Sequence, residues 1–220
     1  MPPSPLRLLL LLTAFVALVT FIQIGVVTIA FDKLGLSRES ALLLVFTLLI
    51  GSMINLPLFS MKADGPAAGE LPPPLRQLFG LRRMPFTGRT VVAVNVGGCI
   101  TPVAFSIYLL AHNPLDPLQV LVAVALVSVV SYAFSRLIPG LGIGIPVFVA
   151  PLSAALAAVT LNPEQSAPLA YICGTLGVLI GADILRIKDV KKLGAPMASI
   201  GGGGTFDGIF ITGIVAVLLA

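Results

Sequence analysis

Long apolar runs dominate the pattern of hydrophobic and polar positions along this chain. A helix crosses the hydrocarbon core of a bilayer with about 20 mostly apolar residues, because each residue adds about 1.5 Å. The runs are continuous rather than alternating, which favours helices over strands. We therefore predict an all-α polytopic transmembrane helical bundle with about seven spans, at residues 8–31, 41–60, 91–111, 118–135, 141–161, 167–185 and 203–220.

The composition agrees with a chain that is solvated by lipid. Hydrophobic residues make up 57% of the 220 residues and charged residues only 10%, whereas a soluble domain carries about 25% charge. The length suits one domain, so we predict a single transmembrane domain over residues 1–220. The net charge of +4 does not indicate a nucleic-acid partner, because the basic residues flank the apolar runs. The predicted partner is the lipid bilayer.

The lysines and arginines predict the orientation of the spans. With seven spans, all of the 13 basic residues except Lys33 and Arg38 fall on one side. Positive residues stay on the cytoplasmic side, so the N-terminus is expected inside and the C-terminus outside a plasma (inner) membrane. The first run, 8–31, is longer than the apolar part of a signal peptide, which favours a retained span over a cleaved signal. The Pro-rich and basic loop 61–90 is then cytoplasmic, either lying on the anionic leaflet or solvated.

Two aspartates fall inside predicted spans. A carboxylate at the helix centre costs roughly 2.5–3.5 kcal/mol on insertion scales, which makes an intramembrane acid a candidate functional residue. Asp183 lies near the cytoplasmic end of the sixth span and Asp207 near the cytoplasmic start of the seventh. Asn55 and Asn95 are predicted in the same layer, each followed by a residue that disrupts helices. We expect these four residues around a hydrated polar cavity in the cytoplasmic third of the bundle.

Structural explanations exist for both aspartates. Asp207 near a helix start would be stabilised as a cap by the helix dipole, and Asp183 could pair with Arg186 three residues later. The segment before Asp207 is unusually rich in glycine, which permits positive φ and close backbone approach, and which could also serve as a plain hinge. Asn95-Val-Gly-Gly and Ser199-Ile-Gly-Gly are similar, but they are too short to establish a repeat. The glycines assigned to substrate binding or support are Gly201, Gly202, Gly203, Gly204 and Gly208.

Two resemblances follow from these residues. Asn55-Leu-Pro57, Asn95-Val-Gly-Gly98, Gly181-Ala-Asp183 and the glycine run ending in Asp207-Gly-Ile-Phe210 resemble a family of uncharacterised bacterial and archaeal membrane proteins, a domain of unknown function. Locally, 204–210 is similar to the Gly-x-Gly-Asp helix of presenilin-type intramembrane aspartyl proteases. That second resemblance implies a catalytic aspartate on each of the sixth and seventh spans, here Asp183 and Asp207.

The sequence leaves two main functions open. One is an intramembrane aspartyl protease-like hydrolase, in which Asp183 and Asp207 share a proton and act on a membrane-embedded peptide. The other is a proton- or cation-coupled transporter of a small solute, with the aspartates as the coupling site; a non-catalytic scaffold is a third possibility. We expect no cofactor and no metal, because His112 is the only histidine and the two cysteines form no motif.

Overall fold

The computed structural model describes residue 25 and residues 27–64, 87–138, 142–202 and 208–220. This part of the chain is mostly helical. Its helices are α1 (Val27–Lys33), α2 (Arg38–Ser52), α3 (Thr101–His112), α4 (Pro117–Phe134), α5 (Val149–Leu161), α6 (Ser166–Val178) and α7 (Gly208–Leu219). Two π-helices lie at Val96–Ile100 and Leu179–Ile184, and a 3₁₀ helix at Ile187–Lys192.

Five strands accompany these helices in the described residues. Three of them, β1 (Asn55–Lys62), β2 (Arg89–Asn95) and β5 (Met197–Ile200), form one sheet in the order β1-β2-β5. β1 pairs antiparallel with β2, from Asn55 opposite Asn95 to Lys62 opposite Arg89, with an irregularity between Pro57 and Phe59. β2 pairs parallel with β5. The short strands β3 (Arg136–Ile138) and β4 (Gly142–Gly144) form a separate hairpin.

The strands correct the prediction of an all-α bundle. The predicted second span, 41–60, is helical only to Ser52 and then becomes β1, while the predicted third span, 91–111, begins as β2. A short continuous apolar run does not distinguish a buried strand from a helix by periodicity, and the valines of β2 favour the strand. Pro57 removes a backbone donor, which fits its place on the edge strand β1.

Fewer helices than predicted have the length and hydropathy of a membrane span. Within the described residues, Pro117–Phe134 and Ser166–Ile184 meet both requirements. A third span results if α1 and α2, which meet at a bend of 116°, form one broken crossing. Helices α5 and α7 are apolar but shorter. Most of the predicted first span lies outside the described residues.

Helix α6 is the centre of the bundle. Leu169 to Thr175 are buried without interruption, and the helix packs against α3, α4, α5 and α7. The apolar core around it also receives side chains from α1 and α2, including Phe31, whose ring lies 6.5 Å from that of Phe210. In contrast, α4 exposes a row of large apolar side chains, including Leu118, Leu121, Leu126 and Val129. Exposed apolar rows of this kind suit contact with lipid.

Candidate functional site

Asp183 lies on the second π-helix, Leu179–Ile184, where α6 widens before it ends. Single π-helical turns inside α-helices are frequent at functional sites. The side chain is partly buried, and its Oδ2 accepts a hydrogen bond of 2.8 Å from the backbone N–H of Gly201. This bond joins the end of α6 to the first residue after β5.

The backbone around Gly201 requires glycine. Its φ is +83°, and a Cβ on this residue would lie 2.6 Å from the carbonyl carbon of Gly98 and 2.7 Å from the Cβ of Cys99. Gly202 also has a positive φ, and its N–H donates to the carbonyl oxygen of Ser199 at 3.3 Å. The chain therefore turns tightly after β5, against the first π-helix and beside Asp183.

Asn95, at the end of β2, connects three segments through its carboxamide. The Nδ2 group donates to the carbonyl oxygen of Ser52 at 2.7 Å and to Oδ1 of Asn55 at 3.1 Å. Its Oδ1 accepts from the N–H of Gly98 at 2.7 Å, which caps the first π-helix. Because the side chain is buried and all three bonds go to protein, Asn95 serves as structural support.

Asn55 extends this network to β5. Its Oδ1 accepts a second hydrogen bond from the hydroxyl of Ser199, at 2.6 Å. Ser199 is two residues before Gly201, which donates to Asp183. Polar side chains thus link the three strands at the end of the sheet next to Gly201, the residue that donates to Asp183.

The structure brings several of the predicted site residues together. Asn55 and Asn95 are in contact, and Gly201 is bonded to Asp183. Gly208 begins α7, and Ile209 belongs to an apolar cluster with Leu179 and Ala182 of the second π-helix. Gly203, Gly204 and Asp207 lie outside the described residues.

Comparison with known proteins identifies the family. A family model with the description "Protein of unknown function (DUF1614)" matches residues 49–219. The chain belongs to the DUF1614 family. The matched region contains all three strands of the sheet, both π-helices and every predicted site residue. No curated protein and no solved structure matches the chain.

Arg186 of this DUF1614 chain does not pair with Asp183 in the described contacts. Its Nε donates to the hydroxyl of Ser135 at 2.6 Å and its Nη2 to the carbonyl oxygen of Tyr132 at 2.9 Å. The guanidinium also forms an ion pair with Asp189 at 3.4 Å. In the described contacts, Arg186 therefore joins the chain after the second π-helix to the end of α4, and does not form the local ion pair with Asp183 that the sequence suggested.

Ser199 is the site residue that sequence reasoning missed in this DUF1614 chain. A signal was present, because Asn95-Val-Gly-Gly and Ser199-Ile-Gly-Gly are similar. In the structure these two segments are the ends of the neighbouring parallel strands β2 and β5, in which Val94 is the partner of Ile200. The glycine pair after β5 follows the strand directly, whereas the pair after β2 lies in the first π-helix, two residues beyond Asn95.

Proposed function

We propose that this DUF1614 chain is a membrane-embedded hydrolase of the aspartyl protease type, with Asp183 and Asp207 as its catalytic pair. One observation carries the proposal: Gly201, at the start of the glycine-rich segment that leads to Asp207, donates its N–H to Asp183. The described chain resumes at Gly208, and Ile209 belongs to the apolar cluster beside Asp183. Both ends of the segment that contains Asp207 are therefore anchored near the second π-helix.

Two neighbouring carboxyl groups suit peptide hydrolysis because they do not ionise together and so share one proton. The ionised aspartate takes a proton from water while the water oxygen adds to the scissile carbonyl carbon. The protonated aspartate donates to the carbonyl oxygen as the tetrahedral intermediate forms. Collapse of the intermediate breaks the C–N bond: the leaving nitrogen takes a proton from the aspartate that had deprotonated the water, and one hydroxyl of the intermediate returns its proton to the other aspartate. The step needs only water as co-reactant.

The sheet supports a peptide as substrate. An extended peptide binds most readily to the edge of a sheet, where its backbone completes the ladder. β5 is an edge strand of the described sheet, and it ends directly at Gly201 beside Asp183. A peptide paired along this edge would extend toward Gly201, which is bonded to Asp183.

The proposed topology has the N-terminus inside and the C-terminus outside the plasma membrane. Contacts among the described residues indicate which loops lie together at each end of the molecule. At one end, the N–H of Asp64 donates to the carbonyl oxygen of Lys191. At the other, Lys33 donates to the carbonyl oxygen of Val217 and Ser166 to that of Ala220. The first end carries most of the basic residues, which supports its assignment to the cytoplasmic side.

Proton- or cation-coupled transport is the second candidate, and one observation favours it. The hydroxyl groups of Ser131, Tyr171 and Thr175 are buried in the helical core; those of Tyr171 and Thr175 lie close enough to interact with each other, and that of Ser131 has no hydrogen-bond partner among the described residues. Buried polar atoms usually bond to protein or to ordered water. Buried hydroxyls in the core of a bundle suit a proton or solute path, which a protease does not require.

The test uses Asp183→Asn, Asp207→Asn and the double variant, with Asp189→Asn as the matched control at the same end of the molecule. Purified protein in proteoliposomes is given a fluorogenic membrane-segment peptide, and peptide cleavage is followed beside proton uptake. We expect each of the first two variants to lose at least 100-fold in cleavage, and the control to retain it.

Retained cleavage in Asp207→Asn would mean that Asp207 is a helix cap, because Asn and Asp cap helices about equally well. Absence of cleavage in the wild type, together with proton uptake that Thr175→Val abolishes, would replace the hydrolase with the transporter.

A further inference from the structure

The end of the molecule that contains Asp183 carries an excess of positive charge. In the described residues, its lysines and arginines outnumber its aspartates, whereas at the opposite end Lys33 and Arg38 are balanced by acidic residues such as Asp32 and Glu39. The basic residues at the first end are Lys62, Arg89, Arg136, Arg186, Lys188, Lys191 and Lys192. This separation of charge gives the two ends different surface potentials.

Some of this positive charge is neutralised locally by Asp189. The aspartate accepts from Lys192 at 2.9 Å and from Arg186 at 3.4 Å. The Lys192 ammonium, with Arg186 contributing less, holds the pKa of Asp189 below its usual value. Arg136 and Lys188 are both exposed, and neither has an ion-pair partner among the described residues. These two cations are therefore available to a partner.

Arg186 fixes the position of these two residues relative to each other. It bonds Ser135 and Tyr132 at the end of α4, and its guanidinium lies 4.5 Å from the centroid of the Tyr132 ring. Arg136 directly follows Ser135, and Lys188 follows Arg186 by two residues. The ends of α4 and of the second π-helix thus form one surface. We give the name basic edge to the exposed residues at these two chain segments, which are Arg136, Lys188, Phe134, Ile138, Ile184 and Leu185.

The apolar members of the basic edge stand at the boundary of the hydrophobic span. Phe134, Ile138, Ile184 and Leu185 are each between 43% and 55% exposed. Phe134 and Ile184 are the last residues of the two helices that are long enough to cross a membrane. Lys188 comes four residues after Ile184, so its ammonium reaches the depth of the lipid headgroups.

We propose that the basic edge binds an anionic phospholipid. The phosphate-bearing headgroup would contact Arg136 and Lys188, and an acyl chain would lie along Phe134, Ile184 and Leu185. Arginine suits phosphate because its planar guanidinium donates two hydrogen bonds to it. A soluble anion would leave the four apolar side chains in water, whereas a lipid covers them.

The test is native mass spectrometry of the full chain in detergent with equal amounts of phosphatidylglycerol and phosphatidylcholine. The double variant Arg136→Gln/Lys188→Gln is compared with Lys33→Gln/Arg38→Gln, which removes the same charge at the opposite end. We expect the wild type and the control to prefer phosphatidylglycerol, and the preference to fall about five-fold for each basic residue removed from the basic edge. Arg136→Lys/Lys188→Arg, which keeps the charge, should retain most of it.

Equal binding of the two lipids by the wild type would overturn the proposal. So would an equal loss in both double variants, because the effect would then be one of total charge. Millimolar inorganic phosphate should leave the lipid bound; displacement by phosphate would show a site for a free anion instead. The thermal stability of each variant in the same detergent shows that the preference is measured on folded protein.

Discussion

Asn95 illustrates how much a single carboxamide can organise. The sequence predicts Asn55 and Asn95 at a similar depth on two neighbouring helices, and the structure joins them by a hydrogen bond between β1 and β2. The other partners of Asn95 were not predictable, because Ser52 and Gly98 become neighbours only when the chain forms β1 and β2 instead of two helices. Ser199 was missed for the same reason, since its contact with Asn55 depends on the parallel pairing of β2 and β5.

Asn95→Ala should lower the free energy of unfolding by about 1–3 kcal/mol, because the carbonyl oxygen of Ser52 and the N–H of Gly98 lose a buried partner. Thermal unfolding in one detergent measures the loss. Asn113→Ala is the matched control, because the side chain of Asn113 bonds the carbonyl oxygen of Leu109 at a helix end and no other group among the described residues. A loss as large in the control as in Asn95→Ala would contradict the supporting role of the buried network.

Around the site, the observed elements differ most from the predicted ones in a segment that contains several valines and glycines. The residues 91–111 read as one apolar span, but they form β2, a π-helix and α3 in succession. Hydropathy counts apolar residues without regard to backbone shape, so the strand could not be separated from a helix. The helix at 118–135 was predicted well, because α4 is long, apolar and free of such interruptions.

Gly97→Ala should disrupt the contact between α2 and the first π-helix. A Cβ at Gly97 would overlap the carbonyl oxygen of Leu48 and the backbone nitrogen of Ser52, neither of which can move alone. We expect a drop in the yield of monodisperse protein and in its melting temperature, measured by size exclusion and thermal unfolding. Gly25→Ala, where a Cβ would meet nothing within 4 Å, should behave like the wild type; a tolerated Gly97→Ala would mean that the two helices separate at little cost.

The described part of the molecule has one end with an excess of positive charge and one nearly balanced end, a division that the charge pattern of the sequence predicts. Arg186 and Lys191 lie at one end of the described structure, and Lys33 and Ala220 at the other. The charge pattern was predictable because it depends only on the fact that successive loops lie on alternate sides of the molecule. The number of spans was not, because short helices such as α5 and α7 fall below the length of a full crossing.

The orientation can be measured with reporters. Alkaline phosphatase fused after Ala220 should be active, because the positive residues retain the opposite end in the cytoplasm. The same reporter inserted at Pro73 should be inactive, and a reporter that is fluorescent only in the cytoplasm should give the inverse result. Activity at Pro73 without activity at Ala220 would reverse the orientation of the chain.

The parallel pairing of β2 with β5 has a consequence for the order of events on the ribosome. Asn55 and its donor Ser199 are 144 residues apart, which a ribosome covers in roughly 7–30 s at about 5–20 residues per second. For the part of that interval after Asn95 has been made, β2 has only β1 beside it, until β5 (Met197–Ile200) follows. The nascent chain therefore holds an unfinished sheet next to a membrane for many seconds, the period in which chaperones and proteases of the membrane have access to it.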